Sequence, residues 1–246
     1  VERFTTFEEI EEGFYIMKTI LLCGGKGFRF LNTSLDLPKV LAPIGDKPIL
    51  VHIMDYYARY GFHEFVLCLG EHGTQIQRSI ENEVDYPVTF LDTGLDTATG
   101  GRILMAKEAI KEDENFFVNY GDALGNVDLQ ALYKHHRESE VMATLTTYKP
   151  RSQYGVLTTD AKGRVTSFTE KPIVNDWINA GFFVFNKAIF DCIDPSENIE
   201  YSLFENLLKT KNLAAYRHSG FWKSMDTFKE NQELNDMWKQ GKAPWS

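Results

Sequence analysis

Apolar and polar positions follow two rhythms along this chain, and their order predicts its architecture. The runs KTILLCG, EFVLCLG, PVTFLDT, NFFVNYGD and MATLTTYKP are short and nearly continuous in apolar residues, as expected of strands buried on both faces. Between the first two, KPILVHIMDYYARYG spaces Ile49, Ile53, Tyr56, Tyr57 and Tyr60 at helical intervals and stops at Gly61, a C-terminal cap. TQIQRSIENEV, GGRILMAKEAIKED and VDLQALYKHHRESE read as further helices, with His135 and His136 on a solvated face of the last. Strands alternating with helices predict an α/β fold with a parallel sheet covered on both sides. After Pro150 the rhythm changes. YGVLTTDAKGRVTSFTEKP reads as a hairpin turning at residues 160–163, WINAGFFVFN as a strand and SLFENLLKTKN as a short helix. LAAYRHSGFWKSMDT then reads as strand, glycine and loop, and FKENQELNDMWKQG as a closing helix. Residues 1–16 form an acidic N-terminal extension. Residues 17–246 contain no repeat and no linker long enough to split them, so one domain is expected.

Three polar segments, CGGKGFR, LDTGLDTATGG and NYGD, directly follow predicted strands. In open α/β sheets ligands sit beyond the carboxyl ends of the strands, so these loops converge on one edge. The formal net charge of −9 argues against a broad phosphate-backbone footprint and hence against nucleic acid. It leaves room for a small phosphorylated ligand, which a few cations can hold in an acidic protein. No apolar run approaches the ~18 residues of a membrane span, and the acidic start lacks the apolar core of a secretion signal. Cys23, Cys68 and Cys192 are far apart and form no Cys-x-x-Cys pair, so a reduced, cytoplasmic protein is expected.

The chemistry concentrates at the first strand end. Gly24, Gly25 and Gly27 let backbone N–H groups approach an anion without an intervening Cβ, though a plain turn uses glycine equally well. A Walker loop would need Gly-Lys-Ser/Thr, and a dinucleotide fingerprint would need a glycine where Phe30 stands. Arg29 adds a planar cationic fork, and Lys39 follows the stiff Pro38. Asp122 ends a buried strand, where a carboxylate is costly without compensation. Asp226 precedes a helix, where either it or Thr227 can serve as N-cap. Two carboxylates with substrate phosphates are what Mg²⁺ requires. Lys171 in FTEKP supplies another cation at a strand end. Cations and acids on strand termini point to phosphoryl or nucleotidyl transfer.

These residues together resemble the sugar-1-phosphate nucleotidyltransferases, whose Gly-Gly-x-Gly-Thr-Arg loop is followed by a Pro-Lys pair. The resemblance runs from LLCGGKGFRF and LPKVLAPIGDKPIL through DTGLDTATGGR, NYGD, YGVL, FTEKP, NAGFFVFN and GFWKSMDT to WKQGKAPW, over nearly all of residues 18–245. TGGR, GFW…MDT and GKAPW are most similar to glucose-1-phosphate cytidylyltransferases. The resemblance implies a three-layer nucleotide-binding α/β fold with a mostly parallel, mixed sheet and a small C-terminal sugar-binding and helical part. It implies Mg²⁺-dependent reaction of a nucleoside triphosphate, CTP first, with a sugar 1-phosphate.

By position, Gly24, Gly25, Gly27 and Arg29 would wrap the triphosphate, and Lys39 would neutralise the α-phosphate. Leu22, Thr93, Thr99, Gly100, Gly101 and Gly121 would line the nucleotide pocket. Lys171 would hold the sugar phosphate, with Glu170, Asn179 and Gly181 facing the sugar. Asp122 and Asp226 would ligate Mg²⁺, with Arg29, Lys39 and Asp122 as the catalytic set. Two departures stand out. Phe28 replaces the usual small hydroxyl residue of the loop, and the stretch between IENEVDYP and LDTG is short. The latter leaves both the sugar and a homo-oligomer open. UTP, dTTP or GTP in place of CTP, another phosphorylated acceptor, and a binding subunit without turnover are the alternatives. Trp177 and Trp222 are candidates for stacking on a ring or for packing.

Overall fold

The computed structural model describes residues 17–25 and 37–246. The acidic extension and Gly27, Phe28 and Arg29 lie outside the described residues. The chain opens with β1 (Thr19–Leu22), a small ribbon of β2 (Pro43–Ile44) and β3 (Lys47–Pro48), and α1 (Ile49–Arg59). Then come β4 (Phe65–Leu69), α2 (Gly73–Glu83), β5 (Val88–Asp92), α3 (Thr99–Met105) and β6 (Asn115–Tyr120). A short β7 (Ala123–Gly125), α4 (Leu129–Ser139) and β8 (Ala143–Tyr148) follow. The hairpin is β9 (Val156–Thr159) and β10 (Val165–Thr169), and β11 (Ile178–Asn186) returns to the sheet. The chain ends with α5 (Leu203–Thr210), β12 (Leu213–Arg217), β13 (Trp222–Ser224) and α6 (Phe228–Lys239).

Seven strands form one sheet in the order β12-β8-β11-β6-β1-β4-β5. All neighbours are parallel except β11, which runs antiparallel to both β6 and β8. The continuous apolar runs divide by strand periodicity. Leu21, Leu67, Phe117, Phe182 and Val184 face one core, under α1, α4 and α6. Ile20, Val66, Val118, Phe183 and Phe185 face the other, under α3 and α5. Each fully buried phenylalanine contributes roughly 1.5–3 kcal/mol relative to exposure, and Phe116, Phe117, Phe182, Phe183 and Phe185 are all of that kind. The three-layer, mixed-sheet architecture is therefore the one expected.

The end of α1 is also as expected. Gly61 takes φ +90°, its N–H reaches Ala58 O at 2.9 Å, and Phe62 N–H reaches Tyr57 O at 3.2 Å, the paired bonds of a Schellman cap. The helix expected over GGRILMAKEAIKED divides instead into α3 and a 3₁₀ turn, Lys107–Ile110. The next anchor explains the tightening: Asp113 is buried and accepts from Lys18 N–H at 3.0 Å, drawing the chain back to the sheet. His136 corrects another expectation. It is 3% exposed, because α4 turns Leu129, Leu132 and His136 toward the sheet along one helical stripe. Its Nδ1 lies 2.9 Å from Thr144 Oγ1 and its Nε2 3.1 Å from Asn115 Oδ1.

The order of strands locates the ligand edge. From β1 the chain goes to β4 and β5 on one side and returns to β6 on the other. The reversal lies between β1 and β6, where open α/β sheets form their crevice. Among the described residues no helix is long and apolar enough to cross a membrane.

Three buried histidines make stability pH-dependent. Burial pushes the pKa of His52, His136 and His218 below the ordinary value, for His136 to about 4. These groups stay neutral when folded but take up protons when unfolded, so their contribution is complete above pH ~6.5 and is lost as pH falls toward the folded values. The thermal midpoint should drop between pH 6.5 and 5, and His136, worth about 3 kcal/mol at full protonation, should carry much of it. A His136→Gln variant, able to keep both hydrogen bonds, should show a shallower drop in the same melts.

Candidate active site

Lys39, Asp122 and Asp226 meet at the carboxyl edge of the sheet. Lys39 Nζ lies 2.7 Å from Asp122 Oδ2 and 2.5 Å from Asp226 Oδ1. Each side chain arrives by a separate local device. Pro38 leads into a 3₁₀ turn, Lys39–Leu41, whose Val40 and Leu41 are buried, so the lysine stem is fixed by its neighbours. Asp122 follows the tip of β6. Asp226 is delivered by the β7–β13 ribbon, in which Ser224 pairs Ala123 and Met225 N–H donates to Asp122 O at 2.9 Å. Thr227, rather than Asp226, caps α6, in a capping box with Glu230. The Asp226 carboxylate is thereby released from helix duty.

The charges are mutually adapted. Burial works against the Lys39 ammonium, but the charge of Asp122 and the hydrogen bonds that Lys39 donates to both aspartates outweigh it and raise the pKa. Burial would raise Asp226, but the Lys39 hydrogen bond and charge prevail and hold it below the usual carboxylate value. A raised lysine keeps its share of the linkage until pH climbs past its ordinary range. A depressed aspartate keeps its share until pH falls below its own. The linkage thus spans the neutral range.

Leu22, Gly25, Lys39, Gly121 and Asp122 line one cavity, together with Cys23, Leu37, Pro38, Val40, Glu71 and His72. Five of the residues marked by the sequence therefore share a wall, and Asp226 joins them through Lys39. Asn179 and Gly181 sit on β11 beside the β6 tip, where the β11–β8 register shifts. Asn179 Oδ1 accepts from Gly181 N–H at 2.9 Å, and Gly181 takes φ +76° against the Tyr120 ring. Glu170 and Lys171 are exposed after β10, with Lys171 held at φ +46°. Glu233 is depressed by its hydrogen bond from Lys223, against burial, and the Lys171 charge adds to this.

The remaining marked residues are engaged in packing. Thr93 is 2% exposed and donates to Leu69 O at 2.6 Å. Thr99 Oγ1 accepts from Ile199 N–H. A Cβ at Gly100 or Gly101 would come within 2.6 Å of carbonyls of Asp194, Glu197 or Pro195, so these glycines allow α3 to seat against the segment before α5. Trp222 donates to Ala180 O at 2.7 Å, a packing role. Trp177 is partly exposed and has Lys149 and Arg217 within cation–π distance.

A family model described as Nucleotidyl transferase matches residues 18–237. The chain belongs to the nucleotidyl transferase family. Among curated proteins it is 42% identical over 253 residues to a probable glucose-1-phosphate cytidylyltransferase of Bacillus subtilis (strain 168), across 93% of this chain and 99% of that one. It is 36% identical over 254 residues to the glucose-1-phosphate cytidylyltransferase of Salmonella typhi, across 93% and 98%. Among solved structures, HddC from Yersinia pseudotuberculosis superposes with a TM-score of 0.72 at 23% identity, covering 90% of this chain and 99% of that one. At that identity the likeness is one of fold.

This nucleotidyltransferase has a further organiser that sequence reading passed over. Arg102 is 4% exposed and donates to Gly24 O (2.8 Å), Leu69 O (3.1 Å), Thr93 Oγ1 (2.6 Å) and Leu95 O (3.3 Å). One guanidinium ties the ends of β1, β4 and β5. Burial pushes its pKa below the ordinary value. A Cβ at Gly24 would lie 1.9 Å from Arg102 Nη1, and one at Gly70 2.9 Å, so glycine at both positions makes room for the arginine. The available signal was an arginine inside TGGR, flanked by buried glycines. Glu71 and His72, at the β4 tip, were also passed over.

Removing Arg102 would strand several buried acceptors. Arg102→Met should lower the denaturation free energy by about 3 kcal/mol or more, read from the urea midpoint. Arg102→Lys should recover little of it, because an ammonium cannot span the same set of acceptors.

Proposed function

We propose that this nucleotidyltransferase acts as one domain, residues 17–246, in the cytoplasm, joining CTP to a sugar 1-phosphate. Glucose 1-phosphate or a close relative is the acceptor, and CDP-sugar and pyrophosphate are the products. The observation that carries this reading is the meeting of Lys39, Asp122 and Asp226 beside the β1 tip. The names of the relatives from Bacillus subtilis and Salmonella typhi support the choice of base and sugar.

The reaction is an in-line displacement at phosphorus. A phosphate oxygen of the sugar 1-phosphate attacks the α-phosphorus of CTP. The bond from that phosphorus to the bridging α–β oxygen breaks, and pyrophosphate leaves. No protein nucleophile is needed, so catalysis rests on positioning and charge neutralisation. Gly24, Gly25, Gly27 and Arg29 hold the triphosphate, and Lys39 neutralises the reacting phosphate. Lys171 binds the sugar phosphate, and Glu170, Asn179 and Gly181 position the sugar.

The donor set fits Mg²⁺. Two hard carboxylates, Asp122 and Asp226, already converge on a single cation, the Lys39 ammonium. Among the described residues no group of three or more His, Cys, Asp or Glu side chains forms a protein cage. Mg²⁺ does not require one, because substrate phosphates and waters complete its shell. Asp122 and Asp226 would hold the ion, which when bound would supply further neutralisation of phosphate charge.

A screen of nucleoside triphosphates against sugar 1-phosphates, read by pyrophosphate release, should give its highest turnover with CTP. Asp122→Asn should lose nearly all Mg²⁺-dependent release with the fold unchanged by circular dichroism, whereas wild-type turnover would remove Asp122 from the reaction. Lys171→Ala should raise KM for the sugar phosphate more than for CTP. The reverse order would assign Lys171 to the triphosphate.

A further inference from the structure

Two cations at the β8 and β12 tips have no part in the chemistry proposed above. Lys149 follows β8, and Arg217 ends β12, the outer edge strand of the sheet. Both turn back onto one indole. Lys149 Nζ lies 5.2 Å and Arg217 Cζ 5.4 Å from the centroid of the Trp177 ring. Trp177 is 39% exposed and immediately precedes β11, so Arg217 reaches across β8 to touch it.

Fold stability does not account for this cluster. A cation–π contact at an exposed site gains less than the rotamer freedom lost in fixing a lysine or an arginine. The two charges also repel one another. Among the described residues neither has an ion-pair partner, and Asp176, beside Trp177 in the chain, bonds to neither. The chain as a whole is acidic, with a net charge of −9, yet no carboxylate answers this pair. Two cations held on one ring in that way suit an anion that neutralises both.

The register ties the pair to the acceptor end of the crevice. Asn179 pairs with Thr147, and Thr147 with Arg217, so the three form one row across β11, β8 and β12 with their side chains on one face. Trp177, two residues before Asn179, shares that face. The strand β6, with Asp122 beyond its tip, is the next one inward from β11. From β6 across β11 to β8 is two strand spacings, about 10 Å. A hexose with its 1-phosphate beside Asp122 and its ring over Asn179 turns its far side toward Trp177.

We propose that Lys149 and Arg217, held by Trp177, bind a second anionic group on the acceptor, a carboxylate or a phosphate on the side of the sugar remote from its 1-phosphate. The substrate class is then an acidic sugar 1-phosphate, a reading that rests on the transfer to a sugar 1-phosphate proposed above. The guanidinium offers a planar fork to either anionic group, and the ammonium adds a point charge. A neutral hydroxyl at the same place leaves both cations uncompensated.

The test measures pyrophosphate release from CTP with glucose 1-phosphate, glucuronic acid 1-phosphate and glucose 1,6-bisphosphate. It compares wild type, Arg217→Gln and the double variant Lys149→Gln/Arg217→Gln, and measures binding of each acceptor independently by calorimetry. In wild type, kcat/KM for at least one acidic acceptor should exceed that for glucose 1-phosphate by about tenfold or more. Arg217→Gln should remove most of that preference and the double variant all of it, chiefly through the KM of the acidic acceptor.

Acidic acceptors no better than glucose 1-phosphate in wild type, or an acidic preference that survives in the double variant, would overturn the assignment. So would inorganic phosphate that binds wild type but not the double variant while the acidic acceptors gain nothing, since the cations would then serve a free anion. A wild type that releases no pyrophosphate with any acceptor would overturn the proposed function alone. The calorimetric ratio of acidic to neutral acceptor, in wild type and double variant, would then decide the anion site. Unchanged circular dichroism and thermal midpoints in both variants separate these outcomes from misfolding.

Discussion

A single ammonium group between two carboxylates joins the parts of the chain on which the site depends. Asp122 and Asp226, both within hydrogen-bond reach of Lys39 Nζ, would repel one another, and Lys39 cancels that repulsion although its own side chain is largely removed from solvent, at 12% exposed. The three residues come from a 3₁₀ turn, a strand tip and the end of a ribbon, separated by 83 and 187 positions from the lysine. Much of the local structure serves this meeting. Pro38 and the buried Val40 and Leu41 fix the lysine, β7 and β13 bring the aspartates into register, and the Thr227 capping box leaves Asp226 free.

Arg102 does comparable work behind the sheet edge. It fastens three parallel strands at the ends where their hydrogen-bond ladders give out, using neutral acceptors instead of a counter-ion. This changes the meaning of the glycines around it. Gly24 was readable as a residue that lets an anion approach the backbone. In the folded chain its missing Cβ also leaves the space that the guanidinium fills. Gly100 and Gly101 allow a helix to seat against carbonyls of the 194–197 segment. Conformational freedom and close approach are separate properties of glycine, and the pattern of letters does not distinguish them.

Most of the fold was legible because it rests on short-range periodicity. Nearly continuous apolar runs read as two-sided strands, and Gly61 read as a helix stop because only its positive φ suits the cap. The elements that escaped were two- or three-residue strands, such as β2, β3, β7 and β13, which are too short to carry a period. The break after α3 escaped because its cause, Asp113 bound to Lys18, lies 95 positions away in the chain. His136 was misplaced because two adjacent histidines look alike in sequence, while helical phase turns one inward.

For the site, residue type and order marked Asp122, because a carboxylate ending a buried strand is costly without compensation, while Lys39 and Asp226 took their roles from the family resemblance. Both Asp226 and Thr227 can accept from a free N–H as the helix cap, and the signal that separates them is the Thr227-x-x-Glu230 spacing of a capping box. The structure forms that box. Sequence could not turn Thr93 inward, bring Glu71 and His72 into the cavity of Lys39, or route Arg102 past Gly24. Those outcomes depend on which strands become neighbours. Local chemistry determined the elements and the cast of charged groups; the strand order β6-β1-β4-β5 alone determined which of them share a space, because proximity across a sheet is set by pairing between segments far apart in the chain.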